Sequence, residues 1–438
     1  MERDPSVAIA SEPMNYRQVL AVGLIVLCIA VDGFDVFAIA FAAPVIAHYW
    51  NVVPASLGLV LSMELVGMGF GAYVGGALAD RAGRRTALLC SLGITASGMW
   101  LCSIASGVTS LAGARLYTGL GIGGLLVAGS TLVSECTNER SRNMAVAVMV
   151  AGYPMGAAIG GLISAGLLAS SGRWQAIFEV GAVATGALFI PIFFLLPESV
   201  AFLSRQRSLS AHTRINRVLV VYGKAPVACW QAEAPAQTVE RSEKLLASGI
   251  STLSAVLMIA FFFHMMTFYF FMKWIPKLVV DMGHAPATAS MVVVWANLAG
   301  AAGSLLMSFL SHRRSLRQLV IGAMATGGTA VILLGQHQNN LVALSMFAAL
   351  AGFFTVGGTA GFYALLTRSF STRVRAVNTG FVLGLGRSGA AAGPVAAGIL
   401  FTFGWPLGIV AAMLGTGSLL AAAFVSRSAG VKQQADLG

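Results

Sequence analysis

The sequence predicts an all-α membrane protein with twelve transmembrane helices arranged as two pseudo-symmetric six-helix bundles. Three observations lead to this prediction: the apolar composition, the regular recurrence of long apolar segments, and the placement of the basic residues. Of the 438 residues, 57% are hydrophobic and only 10% are charged, and the mean hydropathy is +0.82. This composition is too apolar for a water-soluble globular protein.

A bilayer-spanning helix needs about 20 mostly apolar residues. Such segments are predicted at 18–46, 55–79, 85–107, 110–134, 144–169, 175–196, 249–275, 286–311, 317–336, 341–366, 377–401 and 405–426. About fifty more polar residues, with room for a short amphipathic helix and a flexible linker, separate the sixth segment from the seventh. The predicted units are an N-terminal tail (1–17), an N-terminal bundle (18–200), a central loop (201–248), a C-terminal bundle (249–426) and a C-terminal tail (427–438).

The basic residues predict the orientation. If the first span starts inside, 22 of the 27 Lys and Arg residues lie in inner segments, and the outer loops hold only Arg173 and Lys277. This asymmetry follows the positive-inside rule and predicts an inner-membrane protein with both termini in the cytoplasm. It also accounts for the net charge of +11, so no nucleic-acid partner is expected. The cysteines lack metal-ligand spacing, and we expect neither a metal site nor a cofactor.

The two halves look like copies of one unit. The segments RSRNMAVAVMVAGYPMGAAIGG (140–161) and RVRAVNTGFVLGLGRSGAAAGP (373–394) share two arginines and a Gly-Ala-Ala segment at a constant offset of 233. In this register Gly156 matches Gly389. Duplication of a six-helix unit is typical of transporters whose substrate site lies near the bilayer midplane between the halves.

The most specific motif is GALADRAGRR, between the second and third predicted spans. It resembles the loop signature of the major facilitator superfamily, whose members have twelve helices in two halves. The resemblance implies a conformational latch between helix ends, formed by Gly76, Asp80, Arg81, Gly83, Arg84 and Arg85. The alternative is a loop that is basic only because it faces inward. The matching loop SFLSHRRSLR of the second half lacks the Asp and Gly, so any latch there should be weaker.

The first span contains two acids, in AVDGFDVFAIAFAAP. Asp32 and Asp35 are three residues apart and therefore share a helix face. Two close carboxylates in a poor dielectric resist ionising together, so one of them should hold a proton near neutral pH. With FMKWIP and GRSGAAAGP, this segment resembles the aromatic acid:proton symporters, which implies proton-coupled uptake of ring carboxylates. The alternative is that the aspartates only pair with basic groups structurally.

Two further charged residues lie deep within predicted spans. Glu64 is a third intramembrane acid. Two roles are open for it: it could carry a proton, or it could form a hydrogen bond that helps neighbouring helices to pack. Arg387, about ten residues from the inner end of its span, cannot easily extend to the headgroups and must have a partner. It matches the arginine of the family's eleventh span, and we expect it to bind the substrate carboxylate or a coupling carboxylate; the alternative is a purely structural role.

Five more residues are candidate substrate contacts. Arg115 and Lys273 lie near the outer ends of their spans, and for both the alternative is extension to the lipid headgroups. Lys273 also departs from the family pattern and suggests a second anionic group on the substrate. His264 could titrate near pH 6.5, although packing is its simpler use. Tyr269 and Tyr363 lie on spans that line the family's cavity.

We therefore expect a monomeric proton-coupled symporter in the lipid bilayer that imports aromatic carboxylates by alternating access. A proton-driven exporter of organic anions or drugs is the alternative, although GAAIGG at 156–161 lacks the proline of the exporter motif. A sensory receptor would need a signalling domain, for which neither the central loop nor the tail is large enough. No motif on the loops indicates an enzyme.

Overall fold

A computed structural model describes residues 5–206, 209–227, 251–336, 340–370 and 375–435. All regular structure in these ranges is helical. The helices are α1 (Pro5–Ser11), α2 (Tyr16–Tyr49), α3 (Pro54–Ala82), α4 (Arg84–Ser103), α5 (Val108–Cys136), α6 (Glu139–Ser171), α7 (Gln175–Leu195), α8 (Val200–Leu203), α9 (Leu209–Val221), α10 (Thr252–Asp281), α11 (Pro286–Leu310), α12 (Leu316–Gln336), α13 (Leu341–Ser369), α14 (Arg375–Gly386), α15 (Ser388–Thr402) and α16 (Leu407–Ala435).

Within these ranges, eleven helices are long and apolar enough to cross a membrane: α2 to α7, α10 to α13, and α16. The remaining crossing consists of two shorter helices, α14 and α15, instead of one. The predicted continuous span 377–401 is wrong in this respect, because α14 and α15 are separated by a turn at Arg387. Gly386 and Gly389 flank this turn, and glycine has a low helix propensity. The interruption is short, since the Ala390 amide still donates to the Arg387 carbonyl at 2.9 Å.

Local sequence signals explain where several helices begin. The Asn138 side chain accepts from the Ser141 amide at 2.9 Å at the start of α6, and Ser251 accepts from the Ser254 amide at 3.1 Å before α10. Such side chains satisfy amides that have no partner within the helix. The second long helix of each half, α3 and α11, starts with a proline at its first position, where no amide donor is needed.

The duplication is visible in helix packing. In the N-terminal half α6 packs along α2, and in the C-terminal half α15 packs along α10. A Cβ atom on Gly156 would lie 1.6 Å from the Ala30 carbonyl oxygen, and one on Gly389 would lie 2.0 Å from that of Phe262. The two matched glycines therefore allow the same close backbone approach in each half. Arg373, part of the sequence repeat, lies outside the described residues.

We call the end of the bundle where α2 begins and α16 finishes the terminal end. The two halves meet at the opposite end, where α3 contacts α15. There the Ala55 amide donates to the Thr402 hydroxyl at 2.8 Å, and the Ser62 hydroxyl donates to the Ala391 carbonyl at 2.7 Å. Beyond these contacts, towards the terminal end, a cleft lies between α3 on one side and α14 and α15 on the other.

The connector between the halves folds against the N-terminal half as far as residue 227. The Tyr222 hydroxyl donates to the Cys136 sulfur at 3.4 Å, and the Lys224 ammonium donates to the Pro13 carbonyl at 2.7 Å. The expected short amphipathic helix is α9, whose apolar side is buried at Ile215 and Leu219. The expected linker AEAPAQ lies outside the described residues.

Candidate functional site

The predicted latch residues form contacts within the N-terminal half. Arg84 is buried and forms ion pairs with Asp80 at 3.2 Å and with Glu135 at 3.4 Å. The Arg85 amide donates to Glu198 Oε1 at 3.0 Å, and its guanidinium donates to the Phe193 carbonyl. These contacts join the α3–α4 turn to the ends of α5 and α7.

The turn itself depends on a glycine. Gly83 has φ +107°, and a Cβ there would lie 2.2 Å from Glu198 Oε2, so a side chain would be strained by both the backbone and the carboxylate. Gly76 faces Val127 at an ordinary contact distance, and Arg81 is exposed. In the second half, Arg317 donates instead to the carbonyls of Val425, at 3.1 Å, and Ser426.

The two aspartates of α2 lie in different environments although both are buried. Asp35 Oδ2 accepts from the Thr185 hydroxyl of α7 at 2.7 Å. Both oxygens of Asp32 lack a hydrogen-bond partner in the described part of the chain. A buried carboxylate without donors is costly in its charged form. Asp32 and Asp35 are therefore not equivalent.

Glu64 is at the centre of a buried charge cluster. Its Oε2 forms an ion pair with Arg115 of α5 and lies 3.2 Å from the Lys273 ammonium of α10. Arg115 also donates to the Asp35 carbonyl at 3.0 Å, and Lys273 donates to the Val36 carbonyl. All three charged side chains are fully buried, so the cluster links α2, α3, α5 and α10 without solvent.

In this arrangement neither Arg115 nor Lys273 extends to the lipid headgroups, which was the alternative considered from sequence. Their side chains have no exposed surface, and each has a carboxylate partner that the sequence did not assign. For Glu64, the ion pairs replace the simple packing hydrogen bond considered from sequence. Because one carboxylate faces two cations, the cluster carries a net positive charge when all three groups are ionised.

Arg387 lies in a different environment from the other two intramembrane cations. It is half-buried in the turn between α14 and α15, and its guanidinium donates to the Tyr363 hydroxyl of α13 at 3.3 Å. No carboxylate pairs with it among the described residues. The guanidinium is therefore available for an anion.

A cleft of about 530 Å³ adjoins Arg387. Tyr269 of α10 lines it together with apolar residues of α3, including Leu65 and Met68, and residues of α14 and α15. Apolar walls with a few polar groups are typical of small-molecule sites. The structure thus brings three predicted site residues together here, namely Arg387, Tyr269 and Tyr363.

His264 lies apart from this group. Its Nδ1 is 2.8 Å from the Ser418 hydroxyl, and its Nε2 is 3.1 Å from both the Thr355 carbonyl and the Thr359 hydroxyl. Both ring nitrogens therefore have partners on α13 and α16. These contacts fit the packing use considered from sequence.

Four groups at these sites were not found from the sequence. Thr185 donates to Asp35, and the Val36 carbonyl accepts from Lys273. Glu135 pairs with Arg84 of the latch, and Glu198 accepts from the Arg85 amide. The Pro-Glu-Ser segment after α7 was the only available signal for Glu198, and nothing local marks the others. Within the described ranges, no three His, Cys, Asp or Glu side chains are grouped to hold a metal ion.

The sequence profile of the Major Facilitator Superfamily matches residues 25–276 and 257–436. Solved structures share the fold at low identity. A partially occluded, inward-open xylose transporter XylE from E. coli matches with a TM-score of 0.72 and 14% identity, covering 94% of this chain and 98% of the other. A bacterial homologue of the human lysosomal transporter Spinster, inward-facing and occupied, matches with a TM-score of 0.71 and 14% identity, covering 97% and 98%.

Similar characterised proteins extend over nearly the whole chain. A gallate transporter of Pseudomonas putida is 29% identical over 94% of this chain and 92% of its own. A 4-hydroxybenzoate transporter, PcaK, of Pseudomonas aeruginosa is 29% identical over 99% and 97%. A 3-(3-hydroxy-phenyl)propionate transporter of Escherichia coli is 29% identical over 90% of both chains.

Proposed function

The chain belongs to the major facilitator superfamily, a family of membrane transporters and not of enzymes, and from this premise we propose that it imports aromatic carboxylates together with protons. The substrates would be hydroxybenzoate-like or lignin-derived acids. We also propose that it works as a monomer in the inner membrane, with both termini in the cytoplasm. The names of the similar transporters support the substrate class.

One observation carries the substrate proposal. Arg387 faces an apolar cleft, and among the described residues its guanidinium has one side-chain hydrogen-bond partner, the Tyr363 hydroxyl, whereas Arg115 and Lys273 share Glu64. A guanidinium can bind a carboxylate through two parallel hydrogen bonds, and the apolar walls suit an aromatic ring. In this proposal Arg387 binds the substrate carboxylate, while Tyr269 and Tyr363 contact the ring or its hydroxyl groups.

The volume of the cleft fits this class of substrate. At about 530 Å³ it lies within the range of roughly 300–1,000 Å³ that is common for small-molecule sites. Leu65 and Met68 on one side and Ala390 and Ala391 on the other offer only apolar contacts. A small ring with one carboxylate satisfies Arg387 and leaves few polar groups without partners.

We assign the coupled proton to Asp32. Asp35 has the Thr185 hydroxyl as a donor, and Glu64 has two cations, so both can remain ionised at a lower cost than Asp32, for which the described part of the chain supplies no donor. With Asp32 neutral, the charges of Asp35 and Glu64 are balanced by Arg115 and Lys273. Loss of this proton would leave an excess negative charge in a dry environment, which favours a change of conformation.

Alternating access supplies the remaining step. The halves touch through α3 and α15 at the end opposite the termini, and the Lys273–Glu64 pair joins them at the same side of the cleft. Rocking one half against the other would break these contacts and open the cleft to that end. Transport of the substrate is coupled to that of the proton if binding of both favours this rocking of the two halves.

The test is uptake of labelled gallate, 4-hydroxybenzoate and 3-(3-hydroxyphenyl)propionate by cells expressing the wild type, Arg387→Gln or Asp32→Asn, with and without a protonophore. We expect wild-type accumulation that the protonophore abolishes. Arg387→Gln should raise KM at least about tenfold through loss of charge-assisted hydrogen bonds, with each variant's amount in the membrane measured in parallel.

Asp32→Asn separates coupling from binding. It should abolish accumulation against a gradient, while exchange of external for internal labelled acid continues. Accumulation that persists in Asp32→Asn would refute the proton assignment. Failure of the wild type to accumulate any of these acids, or their faster efflux, would refute the proposed import of aromatic acids and favour export.

A further inference from the structure

A second cavity, remote from the cleft at Arg387, lies at the terminal end of the N-terminal half. It has a volume of about 650 Å³ and lies between the start of α2, the end of α7 and the connector helix α9. Four arginines line it: Arg17 from α2, Arg85 from α4, and Arg214 and Arg217 from α9. We call this cavity the arginine pocket. The proposed transport cycle does not use this pocket, which shares only Arg85, Phe193 and Glu198 with the predicted latch.

The positive charge of the arginine pocket is not neutralised within the described part of the chain. None of its four guanidiniums forms an ion pair there. Arg17 donates only to the Tyr16 hydroxyl, at 2.9 Å, and Arg85 donates to the Phe193 carbonyl and stacks over its ring at 5.3 Å.

The acidic side chain that lines the pocket, Glu198, is already engaged. Its Oε1 accepts from the backbone amides of Arg85 at 3.0 Å and Ser199 at 2.9 Å. Glu198 is also buried as a residue, with a relative exposure of 9%. Four cations around one bonded acid make the pocket suitable for an anion that carries several acceptor oxygens.

An apolar rim accompanies this charge. Phe194 is 76% exposed, Leu195 is 52% exposed and Leu20 is 44% exposed, and all three line the pocket. They belong to α7 and α2, two helices that are long and apolar enough to cross a membrane. The arginines therefore lie at the level where a spanning helix ends, with hydrocarbon-compatible side chains directly beside them.

The α9 helix packs its apolar side on the protein and leaves its basic side exposed. Ile215, Val218 and Leu219 are buried against the N-terminal half, while Arg214 and Arg217 are exposed. Long basic side chains at the level of a membrane surface extend to lipid headgroups, while their stems cover apolar surface. A ligand bound by both α9 arginines and by Arg17 would fix the connector to the transmembrane bundle.

We propose that the arginine pocket binds a phosphate-bearing anion, and specifically the headgroup of an anionic phospholipid. The guanidiniums would bind the phosphate oxygens, as basic pockets between transmembrane helices do. The apolar rim at Phe194 and Leu195 would contact the acyl chains. A soluble phosphate ester shares the headgroup chemistry but would leave this rim uncovered, which favours the lipid.

The experiment measures retained lipid on the purified full-length protein by native mass spectrometry after incubation with dioleoyl phosphatidylglycerol or dioleoyl phosphatidylethanolamine. The test variant is Arg214→Gln/Arg217→Gln. The matched control is Arg313→Gln/Arg314→Gln, which removes two exposed arginines from the α11–α12 turn. Inorganic phosphate and glycerol 3-phosphate are added as competitors in separate samples.

We expect the wild type and the control to retain phosphatidylglycerol in preference to phosphatidylethanolamine. The test variant should bind phosphatidylglycerol roughly tenfold to thirtyfold more weakly, because each arginine near an anionic lipid contributes separately to binding. Millimolar phosphate or glycerol 3-phosphate that displaces the lipid completely would support the phosphate site but assign it to a soluble ester. Equal retention of phosphatidylglycerol by all three proteins would overturn the proposal.

Discussion

Lys273 of α10 and Glu64 of α3 form a fully buried ion pair across the boundary between the two halves, with 3.2 Å between the ammonium nitrogen and Oε2. Lys273 also donates to the Val36 carbonyl of α2. The second cation on Glu64, Arg115, belongs to the same half as the carboxylate. Of the two cations on Glu64, only Lys273 must therefore lose its contact when the halves separate, so we propose Lys273 as a link between them rather than as a substrate contact.

Lys273→Met should favour opening of the end opposite the termini. Hydrogen bonds to charged groups contribute about 1.5–3 kcal/mol, so we expect the population of the open state to rise at least about tenfold. The measurement is the distance distribution between spin labels at Val53 and Phe403, in a variant without the native cysteines. Lys277→Met is the control, because Lys277 pairs with Asp281 on its own helix. Identical distributions for Lys273→Met and the wild type would contradict the link.

Glu64→Gln should be much more damaging than Lys273→Met. It leaves Arg115 and Lys273 buried next to each other without a carboxylate, and removing one partner of a buried ion pair costs about 3–5 kcal/mol. Lys273→Met leaves Glu64 paired with Arg115. We expect a clearly lower midpoint of thermal unfolding for Glu64→Gln in detergent, with little folded protein recovered. Equal midpoints for the two variants would show that Glu64 is not the centre of the cluster.

Arg387→Lys tests the geometry of carboxylate binding rather than its charge. Lysine keeps the positive charge but cannot form two parallel hydrogen bonds to one carboxylate. We expect at least a fivefold increase in KM for 4-hydroxybenzoate uptake, with the amount of protein in the membrane unchanged. Tyr363→Phe, which removes the hydroxyl 3.3 Å from the guanidinium, should have a smaller effect, about twofold to tenfold. An unchanged KM for Arg387→Lys would indicate that binding depends on charge alone.

Gly389→Ala should destabilise the C-terminal half. The added Cβ would lie 2.0 Å from the Phe262 carbonyl oxygen, so α15 would have to move away from α10. Overpacking of this kind costs about 1–3 kcal/mol. We expect a lower thermal midpoint than that of Gly380→Ala, a control in the same crossing whose Cβ would meet nothing within 4 Å. A midpoint equal to that of the control would contradict the close approach of the two helices.

Much of the fold follows from local sequence. The length of each apolar run and the charge of each connection are properties of short segments, so the twelve crossings and the division into halves could be predicted. The repeat at 140–161 and 373–394 was equally visible, and its matched glycines Gly156 and Gly389 both approach a backbone carbonyl of the neighbouring helix. The break at Arg387 was missed, because one residue leaves the helix while the apolar character continues through it.

The partners of the buried charges could not be predicted in the same way. Sequence gives the depth of a charged residue along its helix, but not which neighbour the side chain faces. Lys273 and Glu64 are 209 positions apart, and their pairing depends on the rotation of α3 and α10 and on the packing of the halves. The contacts of Glu135 and Glu198 with the latch residues Arg84 and Arg85 likewise depend on helix packing.

The sequence by itself therefore determined which residues are buried charges, because charged groups are conspicuous within long apolar segments. Only the tertiary structure decided which partner each of these charges has. It assigned Arg115 and Lys273 to Glu64, left Arg387 facing a cleft, and left Asp32 without a donor from any described residue. The physical reason is that a charge in a medium of low polarity must find a partner, and its choice depends on which helices lie within a few ångströms.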